Sequence, residues 1–172
     1  MKKIFITISI AFMSTMTVAQ SNTDAIIKFF DKYMDDDDFT TIYISGKMFG
    51  IMSEIPMDDD EEYIRQQLND LTGLRILTSD HVDGVRLYNE VYDKLNTNGY
   101  EELMVVREGD EEFKFLVKES KGIIKELLML SGHDNEFFLM SLLGIIDIKT
   151  IAKISKSMDI DGLDKLDRLD RN

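Results

Sequence analysis

The chain has no cysteine and no tryptophan, and only one proline and two histidines among its 172 residues. Without cysteine there is no disulfide to brace the fold, no thiol nucleophile and no thiolate to hold zinc or an iron–sulfur cluster. The lipid-modified cysteine that tethers a bacterial lipoprotein is excluded as well. His81 and His133 lie about fifty residues apart and supply too few nitrogen donors for a metal centre. The lone proline, Pro56, and ten glycines argue against long disordered linkers. Positive charge is also scarce. Twenty Lys and Arg face 33 Asp and Glu, a net charge of −13. Such a surface repels phosphate backbones and anionic headgroups, which disfavours nucleic-acid and peripheral membrane binding.

Long apolar runs are nearly missing too, and the exception is at the start. Lys2 and Lys3 precede an almost wholly apolar run from Ile4 to Met13, followed by small residues through Ala19. A basic start, a short apolar core and small residues at Thr17-Val18-Ala19 predict a secretory signal peptide over 1–19, too short to span a bilayer. Cleavage would leave Gln20 first and remove two lysines, so 18 basic residues would face 33 acidic ones, about −15. The expectation is an exported protein, periplasmic or secreted, without a stable membrane anchor. About 153 residues remain, enough for one domain with a sizeable core.

Periodicity divides this remainder. Ile26, Ile27, Phe29, Phe30 and Tyr33 recur at helical spacing over Asp24 to Met34, and Asn22 or Thr23 can cap the helix. Four carboxylates, Asp35 to Asp38, end it. Phe39 to Ser45 is rich in β-branched and aromatic residues and predicts a strand. Lys47 to Ile55 predicts a short helix broken at Pro56. The acidic run Asp58 to Glu62 opens a helix over Glu61 to Leu71, where negative charge suits the helix dipole. Gly73 is expected to stop that helix, with a strand over Leu74 to Thr78. Val82 to Asn96 carries the broadest helical apolar face.

Next comes an internal repeat at a constant offset of 24. Glu102-Leu103-Met104-Val105-Val106 aligns with Glu126-Leu127-Leu128-Met129-Leu130, and Asp110-Glu111-Glu112-Phe113 with Asp134-Asn135-Glu136-Phe137. Each copy predicts a β-hairpin with a glycine, Gly109 or Gly132, in its polar turn, and the two join near Ser120-Lys121-Gly122. The result is a four-stranded antiparallel meander. Polar Lys114 and Lys118 place the first hairpin nearer an edge, and Lys114 is expected to be exposed. The nearly all-apolar Phe137 to Ile146 places the second under cover on both faces. Ile148 to Met158 predicts a closing helix. Over 159–172, three leucines and three acid-before-base pairs at four-residue spacing predict a weakly docking tail helix. The fold class is therefore α+β, an antiparallel sheet packed by several helices, with one domain over 20–158.

Several runs of this sequence resemble a known family. These are Tyr100 to Val106, Lys121 to Leu128, Phe137 to Asp147, Ile154-Ser155-Lys156-Ser157-Met158, and Ser45-Gly46-Lys47-Met48-Phe49 after the first strand. Together they resemble domain-of-unknown-function family 4252, exported proteins of Bacteroidetes-type bacteria. The resemblance spans nearly the whole mature chain, implies the fold and hints at envelope signalling. It implies no reaction and no ligand.

Chemical motifs are thin. Ser157, Asp159, Asp161 and Gly162 imitate the start of an EF-hand loop, but its twelfth position holds Arg168 in place of the bidentate Glu. Ser79-Asp80-His81 and Ser131-Gly132-His133-Asp134 contain triad residue types, yet neighbours in one turn do not line up as nucleophile, base and orienter. The acidic runs are expected to be solvated, and Met48, Met52 and Met57 to fill core beside a short helix or to offer an adaptable apolar surface. No catalytic, cofactor-binding or metal residues are assigned. The expected function is a non-enzymatic periplasmic accessory or protein-interaction domain, in envelope signalling, with an unidentified protein partner. The alternative is a carrier holding a small apolar ligand between the helices and the second hairpin.

Overall fold

The computed structural model describes residues 23–56, 62–96 and 99–152. The expected signal peptide, most of the second acidic run, Met57, the EF-hand-like segment and the expected tail helix lie outside these residues. The elements are α1 (Thr23–Tyr33), β1 (Thr40–Ser45), α2 (Gly46–Ser53), α3 (Glu62–Asp70), β2 (Leu71–Ser79), α4 (Gly84–Asn96), β3 (Glu101–Glu108), β4 (Glu111–Ser120), β5 (Ile123–His133) and β6 (Glu136–Ile146). A further helix, α5, begins at 148 and is described through 152.

The six strands form one antiparallel sheet in the order β1-β2-β6-β5-β4-β3. Strands β3 to β6 are the expected meander. The turn between β4 and β5 uses two successive positive-φ residues, Lys121 at 55° and Gly122 at 76°. That is the backbone of a tight hairpin turn whose twist matches the strands. The second hairpin, with its nearly all-apolar β6, sits mid-sheet and the first reaches the edge. The pairing of β1 and β2 onto the free side of β6 is what covers it.

Helices lie on both faces. α1 and α4 press Ile26, Phe29, Phe30, Leu87, Val91 and Leu95 onto Leu77, Leu116, Leu128, Leu130, Phe137 and Leu139. On the other face, α2, α3 and α5 contribute Phe49, Leu68, Ile151 and Ala152 to a core with Phe115, Val117, Leu127, Met129, Met140 and Leu142. Strands buried on both faces need apolar residues at successive positions, which is why Leu127 to Leu130 of β5 and most of Phe137 to Ile146 of β6 are apolar in succession. Gln67 of α3, buried, donates to the carbonyl of Ile145 and accepts from the backbone N–H of Asp147, each within 2.9 Å. It thereby fixes the exit of β6. Asp147 then caps α5 through the Lys149 N–H and the Thr150 hydroxyl.

Three expectations are corrected. Gly73 does not stop a helix: β2 begins at Leu71 directly after α3, and Gly73 lies within the strand opposite Ser45 and Leu143. Gly132 is not a turn residue. The second turn holds Asp134 and Asn135, one residue later than the repeat predicts, so Gly132 and His133 end strand β5. Because strand side chains alternate, this one-residue slide inverts the face on which the next strand's side chains lie. Phe113 joins the α2–α3–α5 core, whereas its repeat mate Phe137 joins the α1–α4 core. Lys114, expected in the open, has a side chain only 14% exposed.

Gly132 is needed for a different reason. A Cβ there would collide with the carbonyl oxygen of Gly84 and stand 2.6 Å from the Tyr88 Cβ. The start of α4 thus rests on bare backbone. Gly132→Ala should cost about 1–3 kcal/mol, as overpacking does, measured by urea denaturation. Gly109→Ala faces no collision and carries only the penalty of its φ of 63°. A larger loss at Gly109 than at Gly132 would refute the close-approach account.

Candidate functional site

The triad-type residues converge on one end of the sheet without forming a site. Backbone bonds from Val82 N–H to the Asn135 carbonyl and from Gly84 N–H to the Asp134 carbonyl bring the two histidine segments together. Each histidine nevertheless contacts its own neighbour: His81 Nε2 lies 3.1 Å from Asp80 and His133 Nδ1 lies 3.7 Å from Asp134. The Ser79 hydroxyl donates to the Asp38 carbonyl and accepts from the His81 N–H, so it serves the turn. Among the described residues no group of three or more His, Asp or Glu is placed to hold a metal ion.

A second cluster is buried, and from the sequence alone it has no assigned role. Glu126 follows an irregularity in β5 and is 2% exposed. Its Oε2 accepts from the Tyr100 hydroxyl and its Oε1 from the Ser141 hydroxyl, both at 2.7 Å. Lys118, its cross-strand partner, sets its ammonium 5.1 Å from the centre of the Tyr100 ring. The trio combines a carboxylate, a phenol and a hydroxyl, but Ser141 is also 2% exposed and both carboxylate oxygens are occupied. It ties the start of β3 to the sheet behind α4. The only sequence signal was a lone acid inside an apolar strand.

The third cluster binds α4 to the outer strands. Lys114 meets Glu102 at 3.0 Å and Glu112 at 3.6 Å and lies 4.6 Å from the centre of the Tyr92 ring. Tyr88 stacks on Tyr92 and donates to Glu112, which also pairs with Arg107 at 2.7 Å. Burial of Lys114 works against its charge, but the Glu102 hydrogen bond and the surrounding acidic groups reverse this and hold its pKa above the ordinary lysine value. Hydrogen bonding from Arg107 depresses the Glu112 carboxyl. Burial, reinforced by Glu112, pushes the Tyr88 phenol up to about 12. Burial and then Glu126 push Tyr100 higher still.

These raised phenols predict an alkaline limit. A folded pKa above the unfolded value of about 10 means the stabilising contribution is complete below pH 10 and is lost as pH rises beyond it. The melting temperature should therefore fall steeply above about pH 10, and the fall should be shallower in a Tyr88→Phe, Tyr100→Phe variant. Identical slopes in the two proteins would exclude the phenols as its cause.

The fourth feature is a surface. β1 is an edge strand reading Thr40-Thr41-Ile42-Tyr43-Ile44-Ser45, with no charge, no proline and an unbroken register against β2. Ile42 and Tyr43 are exposed, and Arg75 braces the Tyr43 ring at 5.6 Å. α2 starts directly afterwards, with Ser45 as N-cap accepting from the Met48 N–H. Phe49 and Ser53 of α2 face inward, and Ser53 donates to Asn69 of α3. At 100° per residue, Met48 and Ile51 fall on the flank turned away from α3; Ile55 follows the C-cap Glu54, and all three are about half exposed. The methionine cluster is therefore split, since Met52 packs against the core and Met48 stands in the open. The opposite edge, β3, carries Glu101, Glu102, Arg107 and Glu108 and an irregularity between Glu102 and Met104.

Comparison with protein families matches residues 33–154 to the domain of unknown function DUF4252. The chain belongs to this family. Comparison with curated proteins and with solved structures gave no match. The DUF4252 region takes in all six strands, α2 to α4, the Glu126 trio and the β1–α2 surface. It starts at the last residue of α1, so most of the aromatic helix that completes one core precedes it. None of the described helices is long and apolar enough to cross a membrane.

Proposed function

We propose that this DUF4252 chain is a non-enzymatic protein-interaction domain, exported to the periplasm, and that its working face is the β1 edge with the outer flank of α2. The observation that carries this reading is the contrast between the two sheet edges. A strand edge invites pairing, and proteins that do not use an edge blunt it with charge, proline or bulges. β3 has charge and an irregularity. β1 has none of these devices, exposes Ile42 and Tyr43 and lies beside three more exposed apolar side chains, in a chain where 31% of residues are charged. Clustered exposed apolar residues mark interaction sites. The carrier alternative needs space between the helices and the second hairpin, where Leu87, Val91, Leu95, Leu128, Leu130 and Leu139 make one fully buried cluster. A place in envelope signalling remains part of the proposal, as the reading of an exported accessory protein.

Photo-crosslinking in the exporting cell tests it. A benzophenone side chain at Tyr43 or Ile51 should yield protein adducts, and one at Val85, exposed on α4, should not. Adducts at Val85 alone, or at none of the three, would remove the β1–α2 face from consideration.

A further inference from the structure

The partner of this face can be specified from its own charges. We propose that β1 pairs antiparallel with β1 of a second copy of this chain, joining two six-stranded sheets into one of twelve strands. This inference rests on the interaction reading above and names its partner.

Geometry comes first. Two identical strands pairing antiparallel are related by a two-fold axis normal to the sheet, as in an isologous dimer. Such an axis keeps each face on its own side. Facing residues must then have numbers of equal parity, and the pairing centres on Ile42 or Tyr43. Ile42 shares the face of Ile44, which packs into the α2–α3–α5 core. It would therefore meet Ile42 or Ile44 of the second copy. Both α2 helices lie on that same face, and their Met48 and Ile51 flanks, turned away from α3, would face each other across the joined edges. Exposed apolar residues on strand and helix would be buried together.

Charge selects the second copy and the antiparallel sense. Before β1 stands the exposed acidic run Asp35 to Asp38. After it stands the N-terminus of α2, positive by its dipole, with Lys47 in its first turn and no acid there. Centred on Ile42, the pairing sets residues 36 to 38 of one copy opposite residues 46 to 48 of the other; centred on Tyr43, it sets residues 38 to 40 there. The acidic run of each chain thus meets the Lys47 end of its partner, twice by symmetry. Parallel pairing would set acid against acid. The uncharged stretch between these ends lets two strongly acidic chains approach without local repulsion.

Sedimentation velocity on the purified chain, as the host processes it, gives the first reading. It should show a dimer at tens of micromolar. Ile42→Lys and Ile51→Glu, both at exposed positions, should give folded monomers by circular dichroism. Lys47→Glu should weaken the dimer about tenfold, and adding Asp37→Lys should restore it. The chain has no cysteine of its own, so single-cysteine probes are clean. Ile42→Cys or Tyr43→Cys should form a disulfide-linked dimer on mild oxidation, and Val85→Cys should not. A wild-type chain that stays monomeric, or a dimer that survives both Ile42→Lys and Ile51→Glu, overturns the proposal. A monomer that still crosslinks to another protein at Tyr43 and Ile51 would defeat self-pairing alone. A monomer with no crosslinks there would defeat the interaction face with it.

Discussion

Phe137→Ala should lower the unfolding free energy by about 3–5 kcal/mol, the range for a large aromatic removed from a core. Phe137 is 2% exposed and meets rings from two other places in the chain. Phe29 of α1 lies 5.9 Å away between ring centres and Phe39, just before β1, lies 6.5 Å away edge-on. Tyr33 links these two at 5.0 and 4.7 Å. Truncation would leave a cavity where α1 meets the sheet, beside the other contacts that hold α1. One is Lys32 to Glu90 of α4, whose carboxyl is depressed chiefly by its hydrogen bond from Lys94. Urea denaturation of Phe137→Ala beside Phe113→Ala gives the test. Phe113 is the repeat mate of Phe137 but is only partly buried on the other face, so its loss should cost about half as much or less. Equal losses would mean that the one-residue slide of the second turn has no energetic consequence.

Glu126→Ala should cost about 3 kcal/mol or more, because it strands two buried hydroxyls at about 1–3 kcal/mol each. Tyr100 and Ser141 both donate to this carboxylate, which is 2% exposed. Glu126→Gln keeps one acceptor oxygen and should cost clearly less than alanine. Replacing all three, with Glu126→Leu, Tyr100→Phe and Ser141→Ala, should recover most of the loss, since no polar group is then left unpaired. Thermal denaturation of the three proteins distinguishes a structural trio from a chemical one. If the triple variant is no more stable than Glu126→Ala, the cost lies in packing and not in the stranded hydroxyls.

The local pattern of residues was sufficient for much of the architecture. Helical spacing in Ile26 to Tyr33, β-branched residues in Thr40 to Ser45 and the nearly all-apolar run in β6 each state a local preference that the whole fold obeys. The repeat disclosed the meander because hairpins are local: the chain turns back on itself within a few residues. The resemblance to DUF4252 rested on the same core and turn residues, and so informed on fold and not on chemistry.

Tertiary structure decided what depends on residues distant in sequence. That β2 pairs with β6 is dictated by no local preference, yet it makes the second hairpin central and leaves β1 an open edge. Gly132 resembled a turn glycine, and only the arrival of α4 on its backbone gives its real role. Lys114 resembled a solvated edge lysine until Tyr92 and Glu102 closed around it. Glu102 and Glu126 hold the same place in the repeat, yet one is a surface ion-pair partner and the other a buried acceptor for two hydroxyls. Identity and spacing fix which side chains share a face, because strand and helix periods are properties of the backbone. What covers each face depends on long-range contacts, and these set both the buried trio and the uncovered edge.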